Sequence, residues 1–490
     1  MDCAIARRMT KLDQFAEEAI RLLGERGFTC DPDLLSPWLT DWRGRYTGAA
    51  AGMASPASTK EVAAFVQLCG GHGVSIVPQG GNSGMSGGAT PDESGASVIL
   101  SLRRMNRIRA IDPQARQVVC EAGVILQSLH DAAEEHKLRF PLTLGGKGSA
   151  TVGGLISTNA GGTQVLRHGT MRAQVQGIEA VMADGQVFDG LTALKKDNRG
   201  FDLKQLLIGS EGTLGIVTAA NLRLVPALGG RVVAWCGMQS IQQARQLLLR
   251  FENEVPDLLE GFEVVPTHCL ESVLKFMPDA RSPLAKNHPW NALVELAAPL
   301  GGESGLPDAM EAVLASALEQ CLIADAAIAA NEKQAEDFWQ LRDMIAPAER
   351  AIGPAMQHDI SVPVERMPDF LEAAIPQVEQ GFPGVKGVGF GHLGDGNIHF
   401  HVLAPAGAVR GDWETNDGKN ISRLVHDLVT QWGGSISAEH GIGQMKRDEL
   451  GRLGDPTVLS IMRQVKQALD PQGLLNPGKL VPLAPDGTSA

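Results

Sequence analysis

Cysteine is sparse and dispersed: Cys3, Cys30, Cys69, Cys120, Cys236, Cys269 and Cys321 form no CxxC pair. An odd, scattered set excludes an iron–sulfur or zinc-thiolate site and fits a reducing, cytoplasmic compartment. Cys120 and Cys236 stand in apolar runs and read as buried small hydrophobes rather than nucleophiles. No apolar run approaches the ~18 residues of a membrane span. No helix-patterned segment is a lysine- and arginine-rich amphipath, which removes docking on a membrane surface. Positive charge is also short. Lys+Arg 43 against Asp+Glu 56 leaves a net charge of −13, so non-specific nucleic-acid binding would be opposed by repulsion. The first residues, MDCAIARRMTKLDQF, have no apolar core and no cleavage pattern, so a secretory signal is not expected. Internal repeats and low-complexity tracts are absent as well.

At 490 residues the chain exceeds what one core supports, and two or three domains are expected. Residues 11–29 read as a helix with Phe15, Ile20, Leu22 and Leu23 apolar, followed by Gly27. Thr59, Lys60 and Glu61 open a second helix that ends at its glycines, and a short strand at 74–78 follows. Helix, strand and glycine-rich turn in that order make an α/β cofactor-domain pattern. Strands continue at 97–100, 108–111, 117–121 and 178–182, and Asp184-Gly185 turns a hairpin into 186–188. From Arg231 strand–helix alternation takes over: VVAWCGM, a helix over 240–255, LEGFEVV, helices at 307–320 and 332–350, and strands near 356–362 and 387–403. The break near 225–230 is the best domain boundary, and the last residues, LAPDGTSA, read as a frayed tail.

Glycine is abundant, 57 residues against an average usage of ~7%. The glycines gather at 80–88, 145–162, 209–215 and 387–396, which suggests backbone that approaches something closely. PQGGNSGMSGG, residues 78–88, follows a strand, and its main-chain N–H groups could line a concave pyrophosphate site. It is neither a P-loop nor a GxGxxG fingerprint, and the alternative is a surface loop. LGGKGSATVGGLISTNAGG, residues 144–162, interleaves Ser149, Thr151, Ser157, Thr158 and Asn159 with small residues and has only Lys147 charged. A small, polar, uncharged wall suits the flat ring and ribityl chain of a flavin. A third cluster, GSEGTLGIVT, ends this part of the chain at 209–218.

The chemistry concentrates in GHLGDGNIHFH, residues 391–401, and AEHG, residues 438–441. Asp395-Gly396 reads as a tight turn that brings His392 and His399, on opposite arms, close enough to share a ligand. Period-two alternation puts His399 and His401 on one face. Imidazole with carboxylate suits a borderline divalent ion such as zinc or manganese. The alternative is a glycine-rich hairpin whose histidines only hydrogen-bond.

PQGGNSGMSGG, GSATVGGLISTNAGG, GSEGTLGIVT, GHLGDGNIH, AEHGIG and NPGKL occur in this order, and from about residue 40 to 482 the chain resembles one family. These are the FAD-dependent D-2-hydroxyacid dehydrogenases, of D-2-hydroxyglutarate and D-lactate dehydrogenase type, within the vanillyl-alcohol oxidase flavoprotein superfamily. The resemblance implies an α+β fold. A two-subdomain FAD-binding domain (46–228) would follow an N-terminal helical segment (1–45). An α+β substrate and metal domain with a largely antiparallel sheet (229–440) would precede a C-terminal segment (441–490) returning to the flavin. It implies that Pro78, Gly80, Gly81, Asn82, Ser83 and Gly84, with Gly148, Ser149, Thr151, Gly153, Gly154, Ser157, Asn159, Gly161 and Gly162, wrap the FAD pyrophosphate and isoalloxazine. Glu211, Gly212, Ile216 and Val217 would lie by the adenosine half, and Asn476 would reach the flavin. The first glycine loop lacks the histidine that some superfamily members use for covalent attachment, so FAD is expected to be non-covalent.

In the family's pattern His392, His399 and Glu439 match metal ligands, His440 the general base, and Arg342 the arginine that holds the substrate carboxylate. A planar guanidinium suits bidentate carboxylate recognition; the alternative for Arg342 is a helix-surface salt bridge with Glu336 or Asp343. Trp339, three residues earlier, reads as packing. Three positions depart from the D-2-hydroxyglutarate enzymes: Gln357 replaces a lysine, Ala346 a threonine and His401 an asparagine. All three serve the distal carboxylate there, so a D-2-hydroxy monocarboxylate becomes at least as plausible, with Gln357 and His401 at the substrate's far end. The implied partners are a small 2-hydroxy acid and an electron acceptor such as an electron-transfer flavoprotein or a quinone. The competing readings are an oxygen-using oxidase and a non-catalytic flavoprotein electron carrier.

Overall fold

The computed structural model describes residues 11–482; the expectations for the N-terminal residues and the frayed tail lie outside the described residues. The chain forms two units. One takes residues up to 160, 170–225 and from 440 onward; the other takes 161–169 and 226–439.

In the first unit, Ser58 accepts a hydrogen bond from the Glu61 N–H and starts the helix Thr59–His72. Val62, Phe65, Val66 and Cys69, spaced as one helical stripe, are buried on it. The helix runs through Gly70 and Gly71 and stops at Gly73, whose φ of +68° a side chain would resist. Strand Val98–Ser101 pairs in parallel with Gly52–Ala54 and Ile76–Gln79. A second sheet is antiparallel, in the order Ile108–Asp112, Gln117–Glu121, Ile216–Arg223, Val175–Val181, Val187–Gly190. Cys120 is fully buried in it, and burial pushes its thiol up to about 12.

The N-terminal helix is shorter than 11–29: it spans Lys11–Leu23 and turns at Gly24. Its buried residues are Phe15 and Ala19, one turn apart, whereas Ile20 and Leu22 are exposed. Phe15 packs edge-on against Phe28, 5.9 Å between centroids, and this aromatic contact sets the inward face.

The second unit is built on a seven-stranded sheet ordered Asp325–Ile328, Leu228–Met238, Trp290–Pro299, Leu259–Pro266, Lys386–His392, Asn397–Leu403, Ala355–Ser361. Every described pairing in it is antiparallel. Alternation sorts the strands' side chains onto two faces. Ala234, Cys236, Val264, Val294, Ile398 and Phe400 join one core, which includes helices Ile241–Glu254, Leu306–Glu319, Met367–Gly381 and Lys419–Gln431. Val233, Trp235, Val265, Leu293, Val388 and Phe390 join the other, under helices Thr267–Phe276, Glu332–Asp343 and Ile345–Ile352. At Gly389 an added Cβ would stand 2.2 Å from Leu371 Cδ2, so the glycine lets helix Met367–Gly381 lie close on the strand. Helices Met367–Gly381 and Lys419–Gln431 are additions to the elements expected from the sequence. The single helix expected over 332–350 is two, because Pro347 lacks an N–H and its ring would clash with the Asp343 carbonyl.

Candidate active site

The second face of the seven-stranded sheet carries most of the polar residues singled out in the sequence. The turn at Asp395-Gly396 joins strands Lys386–His392 and Asn397–Leu403, with Gly396 at φ +79°. Register then sets the neighbours. His392 lies opposite Glu263 on one side and Asn397 on the other; His399 lies between Phe390 and Asp359; His401 lies between Val388 and Gln357. The rings of His392 and His399 are 5.5 Å apart, and those of His399 and His401 6.4 Å.

Glu263 organises this face. Its Oε1 accepts from His392 Nδ1 at 2.5 Å and its Oε2 accepts from Arg342 Nε at 2.9 Å. Arg342 Nη2 in turn lies 3.0 Å from His399 Nε2 and 3.5 Å from His392 Nε2. Burial alone would raise the Glu263 carboxyl, but Arg342 and His392 outweigh it and hold it well below the usual range. Burial also pulls His392 down, yet the Glu263 charge prevails and raises it to about 9. His399 is driven well below its ordinary value by burial, with Arg342 and His392 adding to the effect. Arg342 is therefore no surface residue: its Asp343 contact is 3.9 Å, and Glu336 pairs with Arg231 instead. Trp339 donates to Glu295 at 2.6 Å and stacks over Gly261, a positioning contact as well as packing.

Asp359 ties the other end together. It accepts from Asn397 Nδ2 at 2.9 Å and from the Glu439 N–H at 2.9 Å, and the Asp359 and Glu439 carboxylates approach within 4.8 Å. Burial pushes Glu439 up to about 7, with Asp359 adding to the rise and His392 opposing it. His392, His399 and Glu439 do not form a closed set at ligand spacing among the described residues; the Arg342 guanidinium meets the two imidazole Nε2 atoms. Their residue types can still hold a divalent ion: Glu263 fixes the His392 ring through Nδ1 and turns Nε2 inward, and the ion would displace the proton that a pKa of about 9 leaves there. His401 is not an independent group at the far end. Its Nδ1 is bonded to the buried carboxylate of Glu349.

The glycine clusters meet in the first unit. A Cβ on Gly81 would stand 1.7 Å from the Ser149 carbonyl, and one on Gly80 would stand 2.2 Å from Thr151 Oγ1, so the two loops press together. Thr151 Oγ1 and Asn476 Oδ1 are buried without a hydrogen-bond partner, as groups awaiting a polar ligand would be. Other assigned residues are spent internally. Asn159 Oδ1 accepts from Thr170 and the Arg172 N–H. Ile216 and Val217 pair with Val181 and Ala180, and both side chains are buried in hydrophobic cores, so their contribution is packing. Glu211, expected by an adenosine, gives its carboxylate to the Ile442 and Gly443 N–H groups at 2.7 Å each. Ser86 Oγ reaches the carbonyls of His440 and Gly441, and Asn476 Nδ2 those of Gly88 and Glu211. Gly161 and Gly162 belong to the second unit, where Gly161 lies against Glu439.

Comparison with known proteins decides the family. An FAD binding domain model matches residues 50–190, and a model of the C-terminal domain of FAD linked oxidases matches 230–480. A probable mitochondrial D-2-hydroxyglutarate dehydrogenase of Oryza sativa subsp. indica is 37% identical over 94% of this chain and 80% of its own length. A D-2-hydroxyglutarate dehydrogenase of Xanthomonas citri pv. viticola is 35% identical over 96% of both. The chain belongs to the FAD-dependent D-2-hydroxyacid dehydrogenases. In fold the enzyme is similar to p-cresol methylhydroxylase, with a TM-score of 0.73 and 15% identity over 97% of each chain. It is also similar to 4-ethylphenol oxidase from Gulosibacter chungangensis, with a TM-score of 0.69 and 17% identity over 97% of this chain and 98% of that one. The expected vanillyl-alcohol-oxidase-type α+β fold is thus the observed one. No helix among the described residues is long and apolar enough to cross a membrane.

Sequence reasoning missed Glu263, Asp359 and Glu349. Glu263 had a readable signal, being one of two acids, with Glu260, in the otherwise apolar strand LEGFEVV. Asp359 and Glu349 had none, since only cross-strand and helix–sheet packing gives them partners.

Proposed function

We propose that the enzyme oxidises a D-2-hydroxy monocarboxylate, D-lactate or a larger homologue, to the 2-oxo acid, with D-2-hydroxyglutarate a weaker substrate. Arg342 holds the substrate carboxylate, and His392, His399 and Glu439 take a zinc or manganese ion. His440, which follows Glu439 in the chain, removes the hydroxyl proton. The observation that carries this reading is the convergence of Arg342 with the two imidazole Nε2 atoms, 3.0 and 3.5 Å away. A cation for a carboxylate and two imidazole nitrogens for a metal thus share one buried point.

FAD, held without a covalent link, would supply the hydride acceptor for the substrate's α-carbon. Loops 78–84 and 148–162 would hold it, with Thr151 Oγ1 and Asn476 Oδ1 as buried polar contacts. A divalent ion, when bound, lowers the pKa of the substrate hydroxyl. Glu263 keeps Arg342 and the His392 ring in place. His399, driven towards its neutral form, offers a ligand lone pair without first losing a proton. Ser86 and Glu211 brace residues 440–443, and so the backbone of the base.

The test is spectroscopic. Anaerobic addition of D-2-hydroxy acids should bleach the flavin, and L-enantiomers should not. A chelator, or His392→Ala, should abolish that bleaching while the yellow cofactor stays bound, and acid precipitation should release FAD into the supernatant. Full activity without metal would sink the assignment of the hairpin histidines.

A further inference from the structure

The departures at 357 and 401 are neighbours in the sheet, and the helix that carries the third, Ala346, supplies a fourth residue that bonds His401. Gln357 lies opposite His401 in the sheet register. Ala346 and Glu349 stand one turn apart on helix Ile345–Ile352. Glu349 is 2% exposed, and one of its oxygens takes His401 Nδ1. Its other oxygen, Oε1, is buried without a hydrogen-bond partner.

His401 lies beside the carboxylate and metal residues on the same sheet face. The Phe390 ring is 5.1 Å from the rings of both His399 and His401. A five-carbon acid spans about 5 Å from first to last carbon. A substrate whose carboxylate lies on Arg342, beside His399, and whose chain runs along the strand brings a fourth or fifth carbon level with His401, whose ring is 6.4 Å from that of His399. A second carboxylate there would meet the neutral amide of Gln357 and an imidazole whose Nδ1 is already bonded to the Glu349 carboxylate. Lys386, on the adjoining strand, is exposed and stands opposite Leu403 at the far end of the pair. A buried carboxylate with an orphan oxygen also costs stability. A neutral acceptor would anchor His401 without that cost.

We propose that Glu349 is the specificity-determining residue of this site: its buried carboxylate, held against His401, restricts the substrate to D-2-hydroxy acids whose distal end is uncharged. Like charges brought together in a site of low polarity discriminate against the wrong ligand. Glu349 acts through His401 and through its own field, and touches no reacting atom. The inference rests on the reading of Arg342 as the carboxylate anchor.

Wild type, Glu349→Gln and Glu349→Leu are compared by anaerobic stopped-flow reduction with D-lactate, D-2-hydroxy-4-methylpentanoate and D-2-hydroxyglutarate. Wild type should favour the two monocarboxylates. In Glu349→Leu the ratio of efficiencies, dicarboxylate over D-lactate, should rise by about tenfold or more, through a lower Kd for the dicarboxylate. Glu349→Gln keeps the shape and should move the ratio the same way by less, which preserves the test if the leucine variant folds poorly. A merely structural role would depress all three substrates together. A ratio within roughly threefold of wild type in both variants, or a wild-type preference for the dicarboxylate, overturns the inference. Wild-type flavin that no D-2-hydroxy acid reduces would instead overturn the functional reading beneath it.

Discussion

Glu263 and His392 face each other across neighbouring strands, with Oε1 2.5 Å from Nδ1, and this contact fixes which imidazole nitrogen looks into the site. The same carboxylate holds Arg342 at 2.9 Å. Glu263→Gln keeps the volume but removes the charge from both contacts. The expected outcome is metal affinity lowered by about 10–100-fold, with a raised KM, measured by calorimetric titration of metal into chelated enzyme and by steady-state kinetics. Unchanged metal affinity would reduce Glu263 to a packing residue.

His440 and Arg342 should fail in different ways. His440→Asn should slow flavin reduction by about 10²–10⁴-fold while substrate Kd changes little. Arg342→Ala should mainly weaken binding, by at least the ~1.5–3 kcal/mol of a charged hydrogen bond, and Glu263 loses a partner as well. Stopped-flow reduction against substrate concentration separates the two parameters. Equal losses in both parameters for both variants would break the assignment.

Glu211 distinguishes a brace from a cofactor contact. Its two oxygens accept from Ile442 and Gly443, and a glutamine can accept only one of those N–H groups. Glu211→Gln should therefore lower Tm, at a cost of about 1–3 kcal/mol for the orphaned donor. It should also slow flavin reduction while FAD content stays full. Loss of FAD with an unchanged Tm would restore the adenosine contact expected from the family's pattern.

His268 supplies a pH test of the second unit. Burial, aided by the Lys386 charge, pulls its pKa down to about 4, against ~6.5 unfolded. The unfolded chain then binds the extra proton between those values, so stability is full above about pH 6.5 and falls as pH drops through 4. His268→Leu should flatten the Tm profile in that window, where the wild-type loss from this group is at most about 3 kcal/mol. Parallel profiles for the two proteins would show that His268 is not held neutral.

Short-range order is legible in the amino-acid sequence. The Asp395-Gly396 turn, the alternation of His399 and His401, and the helix begun by Ser58 depend on residues a few positions apart, and turn chemistry and period two act locally. The glycine loops and the ordered motifs carry the family, and with it FAD and the fold. Which residues meet across the sheet is not legible there. Glu263 lies far upstream of His392, Glu349 answers His401 from a helix, and Arg342 takes both imidazole Nε2 atoms. Those contacts depend on strand order and register between distant segments, which the core's burial selects and no local pattern records. The same holds for Glu211, whose motif reads as a cofactor loop until the returning segment presents two N–H groups to its carboxylate.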